Sequence, residues 1–180
     1  MKKTPKSKIK KLSTQVTKFL DQAKVKYKIL EHKVVFTAHD VGATTKKKLS
    51  EIAKVVLVKV DKDFVLIVLP AGKYVDLKAV QKVLASAKSP KGHSGGPASG
   101  GKKVSMASEK DITKYLKTKV GLLHPFGNQY NLKTLMDKGM SRAKKIIASA
   151  GTYTDSVEMA VKDFEKLVKP VKGSFSKTKK

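Results

Sequence analysis

The sequence contains no cysteine and no tryptophan, and Arg142 is its only arginine. Without cysteine the chain has no disulfide framework, no thiolate nucleophile and no cysteine-ligated zinc site. No stretch reaches the ~18 to 20 uninterrupted apolar residues of a membrane helix, because lysines interrupt even the most apolar region, residues 52–69. The first lysines are not followed by an apolar segment, which argues against a secretory signal. These absences predict a cytoplasmic protein that does not enter a membrane.

Acidic residues are scarce relative to basic ones. The chain has 14 aspartates and glutamates against 40 lysines and arginines, a net charge of +26 and a pI of about 10.1. Such an excess predicts a polyanionic partner, with a lysine-biased genome or a hot or salty habitat as the alternative cause. Lysine attracts phosphate as a mobile point charge, whereas arginine can form two hydrogen bonds to the edge of one base. The composition therefore favours contact with a nucleic-acid backbone over sequence readout.

The length and composition predict one folded domain, residues 13–170. Residues 1–12 and 171–180 are rich in lysine and lack acidic residues, and both are predicted to be disordered basic tails. Residues 88–102 are dominated by glycine, serine and proline, which predicts a flexible insertion within the domain.

Apolar periodicity predicts a mixed sheet with helices around it, an α+β fold. The clearest pattern is a pair of β-branched apolar runs, residues 52–60 and 64–69, whose separation by a short polar segment predicts a hairpin. Asp76 is predicted to cap the helix that follows. The other predicted strands are residues 27–31, 104–106, 131–136, 145–150 and 156–161, and the other predicted helices begin near residues 13, 37, 108 and 162.

Few residues are candidates for chemistry. The chain has no phosphate-binding glycine loop, no HExxH and no GxSxG, and its four histidines match no metal spacing, so neither a metal nor a cofactor is predicted. Lys54 shares a strand face with Val56 and Val58, which places an ammonium at the edge of an apolar surface, although such a lysine more often extends to water. The loop from Gly121 to Gly127 has the glycine and proline typical of small-substrate pockets, and His124 within it is a candidate to orient a water molecule.

Several short motifs, in order along the chain, resemble the YbaK family of aminoacyl-tRNA deacylases, which also occurs as the editing insertion of bacterial prolyl-tRNA synthetases. The resemblance covers about residues 16–170, and the order and spacing of its parts make it specific. The motifs are Glu31-His32, Phe36-Thr37-Ala38, residues 53–58 (AKVVLV, where the family reads AKTLVL), Leu69-Pro70-Ala71-Gly72, Val75-Asp76-Leu77, Met106-Ala107-Ser108-Glu109, Gly121-x-x-x-Pro125-Phe126-Gly127-Asn128, residues 150–159 and residues 164–168.

The resemblance implies a mixed, partly barrel-like sheet flanked by helices. It also implies that Lys54 is the family's signature lysine, the candidate catalytic residue, at the pocket for the 3′ end of charged tRNA. The implied reaction is hydrolysis, by water, of the ester between an amino acid and the terminal ribose, with no metal and no cofactor. The implied substrate-binding residues are Gly121, Leu122, Leu123, His124, Pro125, Phe126, Gly127 and Asn128. The family often has small or hydroxyl residues before the loop proline, so the three residues before Pro125 leave the edited amino acid open.

The implied partner is aminoacyl-tRNA, bound by a monomer or weak dimer, with the two lysine-rich tails adding general affinity for tRNA. Two other interpretations stay open. One is a non-catalytic RNA- or ribosome-binding protein that keeps the fold and uses only its basic surface. The other is a module that docks on an aminoacyl-tRNA synthetase and edits in its company. Pure RNA binding would not need Lys54 with its loop, and no ladder of aromatic residues for stacking single-stranded bases is visible.

Overall fold

The computed structural model describes residues 14–86 and 103–178 of the chain. The predicted tail at residues 1–12 and the predicted insertion at residues 88–102 lie outside the described residues. The described strands are β1 (Tyr27–Glu31), β2 (Ala53–Val60), β3 (Asp63–Pro70), β4 (Tyr74–Val75), β5 (Val104–Met106), β6 (Lys133–Asp137), β7 (Lys145–Ser149), β8 (Asp155–Ala160), β9 (Val171–Gly173) and β10 (Ser176–Lys177).

The described helices surround these strands. They are α1 (Gln15–Gln22), α2 (Ala38–Thr45), α3 (Leu77–Ser86), α4 (Glu109–Asp111), α5 (Lys138–Ser141) and α6 (Val161–Val168), with a π-helical turn at Ile112–Leu116 and a 3-10 turn at Gly127–Tyr130. Side-chain caps start several of them: Thr14 caps α1, Thr37 caps α2 and Ser108 caps α4, each by accepting a backbone N–H. None of the helices in the described ranges is long and apolar enough to cross a bilayer.

The larger sheet has five strands in the order β5-β2-β3-β6-β9. Its centre is the antiparallel β2–β3 hairpin, in which Val60 pairs with Asp63 and the turn residue Asp61 takes a left-handed conformation (φ +55°). The predicted hairpin is therefore confirmed. The β3–β6 and β6–β9 pairs are parallel, which makes the sheet mixed.

The smaller sheet has three antiparallel strands in the order β1-β8-β7. A single parallel bridge between Ile52 and Ile147 joins its edge to the start of β2, and the amide of Ile147 donates a 2.8 Å hydrogen bond to the carbonyl of Glu51. The two sheets meet along this one edge, and they do not close into a barrel. The expected mixed sheet flanked by helices is confirmed.

Both faces of β3 are buried, and its side chains alternate between the face under α3 and the opposite face. Val65, Ile67 and Leu69 pack under α3, whereas Val68 packs toward α1 and α6. Because helices cover each face, the sequence of β3 is an uninterrupted run of apolar residues. The helix side chains completing these clusters are Val80 and Leu84 of α3, Val16 and Leu20 of α1, and Val161 and Phe164 of α6.

The chain after residue 170 is folded, so the prediction of a disordered tail at residues 171–180 is wrong for residues 171–178. β9 extends the larger sheet, β10 pairs with β4, and Phe175 between them is 1% exposed in the cluster under α3. The carboxylate of Asp137 accepts 3.0 Å hydrogen bonds from the amides of Phe175 and Ser176. Phe175 and the carboxylate of Asp137 thus hold residues 171–178 in the fold, although the lysines of this segment had predicted disorder.

Candidate active site

A cavity of about 390 Å³ lies where the two sheets meet. Its inner wall comes from residues 52–57 of the β2 region and residues 147–149 of β7. Its outer walls come from residues 35–38, before and at the start of α2, and from Met106, Ala107, Glu109, Val120, Gly121 and Leu123. The volume is in the range of small-molecule sites, and most of the lining is apolar with a few polar side chains.

Lys54 is part of the cavity wall, and its side chain is half-buried. Val56 and Val58, two and four residues further along β2, pack under α3, so the predicted shared strand face is confirmed for these residues. The Lys54 ammonium donates a 3.3 Å hydrogen bond to the carbonyl of Lys73 and lies 4.6 Å from the centre of the Tyr74 ring. Burial lowers the pKa of Lys54 below its ordinary value.

The loop that was predicted to bind substrate divides between the cavity and the core. Gly121 and Leu123 line the cavity, and Leu123 is 7% exposed. Gly121 has φ +88°, and a Cβ there would lie 2.7 Å from the carbonyl oxygen of Phe36 and 3.3 Å from the Tyr153 ring. Only glycine therefore lets the loop pass this close to the opposite wall.

His124 points into the core behind the cavity wall. Its ring is 4% exposed and stacks on Tyr130, with the ring centres 4.4 Å apart and the planes at 13°. No group in the described residues hydrogen-bonds its Nδ1. Burial lowers the pKa of His124 to about 4, so the ring is neutral near pH 7.

The rest of the predicted loop also lies outside the cavity lining. Phe126 is fully buried between Phe19 of α1 and Phe164 of α6, with ring centres 5.7 Å and 5.8 Å away. Asn128 donates to the carbonyl of Leu167 at 3.3 Å. The remaining three are Leu122, which closes a turn with Lys119, Pro125, which is buried, and Gly127, whose missing side chain makes room for Thr134.

A His32–Ser156 pair lines the cavity, and the sequence did not single it out. His32 Nδ1 lies 2.9 Å from the carbonyl of Lys33, and Nε2 lies 3.0 Å from the Ser156 hydroxyl. A carbonyl can only accept, so Nδ1 carries a proton, and Nε2 and the Ser156 hydroxyl lie within hydrogen-bond distance of each other. Ser156 is only 2% exposed. The sequence could have indicated this pair, because both residues lie in motifs that resemble the YbaK family.

Residues 14–86 and 103–178 contain no group of side chains that could bind a metal ion. No three histidine, aspartate or glutamate side chains there come close enough together to hold an ion. The acidic and basic groups that do cluster make ion pairs instead: Glu158, 6% exposed, receives hydrogen bonds from Lys47 at 2.8 Å and Lys145 at 2.9 Å. These contacts lower the pKa of Glu158 and tie α2 to the smaller sheet.

The class of protein follows from comparison with known families. Residues 96–167, which include the Gly-x-x-x-Pro loop and β6 to α6, match the model of the aminoacyl-tRNA editing domain. Together with the α+β fold and its cavity, this match confirms the expected resemblance to the YbaK-like editing proteins.

Individual relatives agree with that class. The chain is 25% identical over 162 residues to the prolyl-tRNA editing protein ProX of Acetoanaerobium sticklandii, covering 87% of this chain and 90% of the relative. Its fold is similar to that of a hypothetical protein of known crystal structure (TM-score 0.76, 17% identity, 91% of this chain and 100% of the other). It is also similar to a protein described as a trans-editing enzyme for prolyl-tRNA synthetase (TM-score 0.70, 14% identity, 92% and 99%).

Proposed function

We propose that this protein is a trans-editing aminoacyl-tRNA deacylase, which hydrolyses the ester of a mischarged tRNA in the cytoplasm. The observation that carries the proposal is that Lys54, Gly121 and Leu123, which come from two separate motifs of the resemblance, line the same cavity. These residues are far apart in the sequence. Packing of the core alone would not require them to line one cavity, whereas a substrate site would. The +26 charge of the chain supports a nucleic-acid substrate.

Lys54 is the residue we assign to substrate contact. An ammonium has three N–H donors, and among the described residues only the Lys73 carbonyl accepts from it. We assign the other donors to a phosphate or ester oxygen of the tRNA 3′ end. The apolar neighbours of Lys54 reduce screening by water, which strengthens such a contact.

Water is the nucleophile in the proposed reaction. It adds to the ester carbonyl carbon, the bond from that carbon to the ribose oxygen breaks, and the ribose leaves as its hydroxyl after taking up a proton. The chain has no cysteine, and Ser156 is only 2% exposed, so we assign no covalent acyl intermediate to either residue type. We assign the ribose hydroxyl next to the ester the role of holding this water.

The name of the A. sticklandii relative suggests that the edited tRNA is a prolyl tRNA. We extend this assignment to the present chain and infer association with prolyl-tRNA synthetase. Leu123, as the loop side chain in the cavity lining, is the residue that we expect to limit the size of the accepted amino acid. Leu122 and His124 lie outside that lining, so they are not assigned a role in this selection.

The test is amino-acid release from a panel of mischarged prolyl tRNAs by the wild type and Lys54→Ala. We expect Lys54→Ala to lower the rate about 100-fold, the usual cost of removing one stabilising donor from an active site. Lys133→Ala is the matched control, because Lys133 is also a half-buried strand lysine whose pKa is lowered by burial, and it does not line the cavity. Equal rates for Lys54→Ala and Lys133→Ala would contradict the assigned role.

A second candidate is a non-catalytic RNA-binding protein with the same fold, and the net charge of +26 favours it. The same panel separates the two. Salt-sensitive tRNA binding by the wild type, with no release of any amino acid, would replace the deacylase with the RNA-binding protein.

A further inference from the structure

The mouth of the cavity carries three exposed apolar side chains. Phe36 is 63% exposed, Met106 is 53% exposed and Val120 is 49% exposed, and all three line the cavity. Single exposed apolar residues need no explanation, but a group of them around one cavity marks a surface that binds something. We define Phe36, Val120 and the adjacent Tyr153 as the rim platform.

The rim platform is held in place by its backbone. The amide of Val35, a buried residue, donates a 3.0 Å hydrogen bond to the carbonyl of Tyr153, which fixes the chain just before Phe36. The Phe36 and Tyr153 rings contact each other with centres 5.0 Å apart, and the Tyr153 hydroxyl lies 3.5 Å from the carbonyl of Val120. Tyr153 thus supports one side of the Phe36 ring, and the exposed remainder faces solvent.

Gly121 allows this arrangement. Its backbone lies so close to Phe36 and Tyr153 that a Cβ would press on both, as described above. The glycine of the Gly-x-x-x-Pro loop therefore has two consequences: the loop reaches the cavity, and the rim platform is packed against it.

The charge around the rim platform indicates the kind of ligand. Lys33 and Lys119 are exposed, and they lie three residues before Phe36 and one residue before Val120 in the chain. An exposed aromatic ring with lysines close to it in the chain fits a nucleotide, whose base stacks on the ring while its phosphates contact lysine. An apolar peptide would gain nothing from the lysines, and the whole chain repels basic partners.

We propose that Phe36, supported by Tyr153, stacks on the base of the last nucleotide of the tRNA 3′ end, so that the ester lies over the cavity. This proposal rests on the proposed function and identifies how the same site holds the nucleotide next to the ester. It places the base outside the cavity and leaves the 390 Å³ interior for the aminoacyl group.

The test measures binding without chemistry. An uncharged RNA hairpin that ends in the tRNA 3′ sequence is compared with the same hairpin whose last residue lacks its base, by fluorescence anisotropy with a label at the 5′ end. For the wild type we expect loss of the base to weaken binding about 10-fold, within the range for one stacked base. For Phe36→Ala the two hairpins should bind equally, and Phe36→Tyr should restore the difference.

Tyr115→Ala is the control variant, because Tyr115 is 55% exposed, contacts Phe64 and does not line the cavity. It should keep the 10-fold difference between hairpins. A wild type that binds both hairpins equally, while its Lys54-dependent release of amino acid is intact, would overturn the rim platform and leave the deacylase assignment standing. Wild type that binds neither hairpin and releases no amino acid would overturn both.

Discussion

At the residue scale, His124 shows that a sequence motif does not predict which way a side chain points. Its place before the loop proline made it a candidate for orienting water, yet its ring stacks on Tyr130 and its Nδ1 has no hydrogen-bond partner among the described residues. A sequence motif records that positions belong together, and it does not record which side of the loop each side chain faces. Gly121 and Leu123 face the cavity, whereas His124 faces the core.

The burial of His124 predicts a loss of stability on mild acidification. Its pKa is about 4 in the folded protein and about 6.5 when unfolded, so the unfolded chain takes up the proton first as the pH falls. The contribution of neutral His124 is complete above pH 6.5 and is lost progressively as the pH falls toward 4. Between pH 7 and pH 5 the free energy of unfolding should fall by about 2 kcal/mol from this residue.

Urea unfolding at the two pH values measures this effect. His124→Phe keeps a ring against Tyr130 and cannot be protonated, so the difference between pH 7 and pH 5 should be about 2 kcal/mol smaller in this variant. Carboxylates that titrate in the same range cancel in the comparison. The control His39→Gln changes an exposed histidine and should behave like the wild type. A wild-type pH dependence in His124→Phe would show that the ring is accessible to protons in the folded state.

Lys54 shows how much of a residue's surroundings the local sequence pattern can predict. The alternation along β2 correctly predicted that it shares a face with Val56 and Val58, because strand periodicity is a local property. Its contacts with the Lys73 carbonyl and the Tyr74 ring depend on where the chain returns after β3, and no periodicity encodes that return.

At the element scale, the elements that were predicted are those with strong local patterns, such as the β2–β3 hairpin, α3 and α6. The missed elements are short: β4 and β10 have two residues each, β9 has three and α5 has four. Their sequences carry no periodicity, and they form because the rest of the fold supplies their partners. α2 continues through Gly42 to Thr45, and Lys46 ends it in a left-handed conformation (φ +55°).

Asp137 provides a test of how the C-terminal strands are held. Its carboxylate is 3% exposed and accepts from the amide of Gly139 at 2.8 Å and from the amides of Phe175 and Ser176. Asp137→Asn places an NH₂ where an acceptor is needed, so at least one buried amide loses its partner. The free energy of unfolding should fall by about 2 to 3 kcal/mol, as measured by urea unfolding.

The matched control is Asp76→Asn. Asp76 also accepts from two amides, those of Lys78 and Ala79, but it does so at the exposed start of α3. Asparagine is as good a helix cap as aspartate, so this change should cost little. Equal losses in the two variants would mean that Asp137 acts as an ordinary surface cap and that β9 and β10 are held by Phe175 alone.

At the scale of the whole molecule, the cavity depends on the meeting of two sheets whose strands are mixed along the chain. β8, late in the sequence, pairs with both β1 and β7, and β7 then bridges to the start of β2. Sequence patterns predicted most of these strands without their order. The resemblance to the editing family supplied the arrangement, since it was the one source that related distant segments to each other.

The folded C-terminal segment changes how the basic ends of the chain can be tested. Removing residues 171–180 would delete β9, β10 and the buried Phe175, so a loss of tRNA affinity there would be confused with unfolding. The lysines of residues 1–11 lie outside the described residues and are not part of these strands. They are the place to measure the contribution of general charge.

We expect replacement of the six lysines in residues 1–11 by glutamine to weaken tRNA binding at low salt and to leave thermal stability unchanged. Each phosphate contact that is lost should reduce the slope of log affinity against log salt concentration by about 0.7 to 0.9. Filter binding at several salt concentrations measures the slope, and the release rate at saturating tRNA should stay at the wild-type value, because the cavity is untouched. An unchanged slope would assign tRNA attraction to the folded domain and its lysines, such as Lys33 and Lys119, which are exposed and follow or precede a cavity-lining residue in the chain.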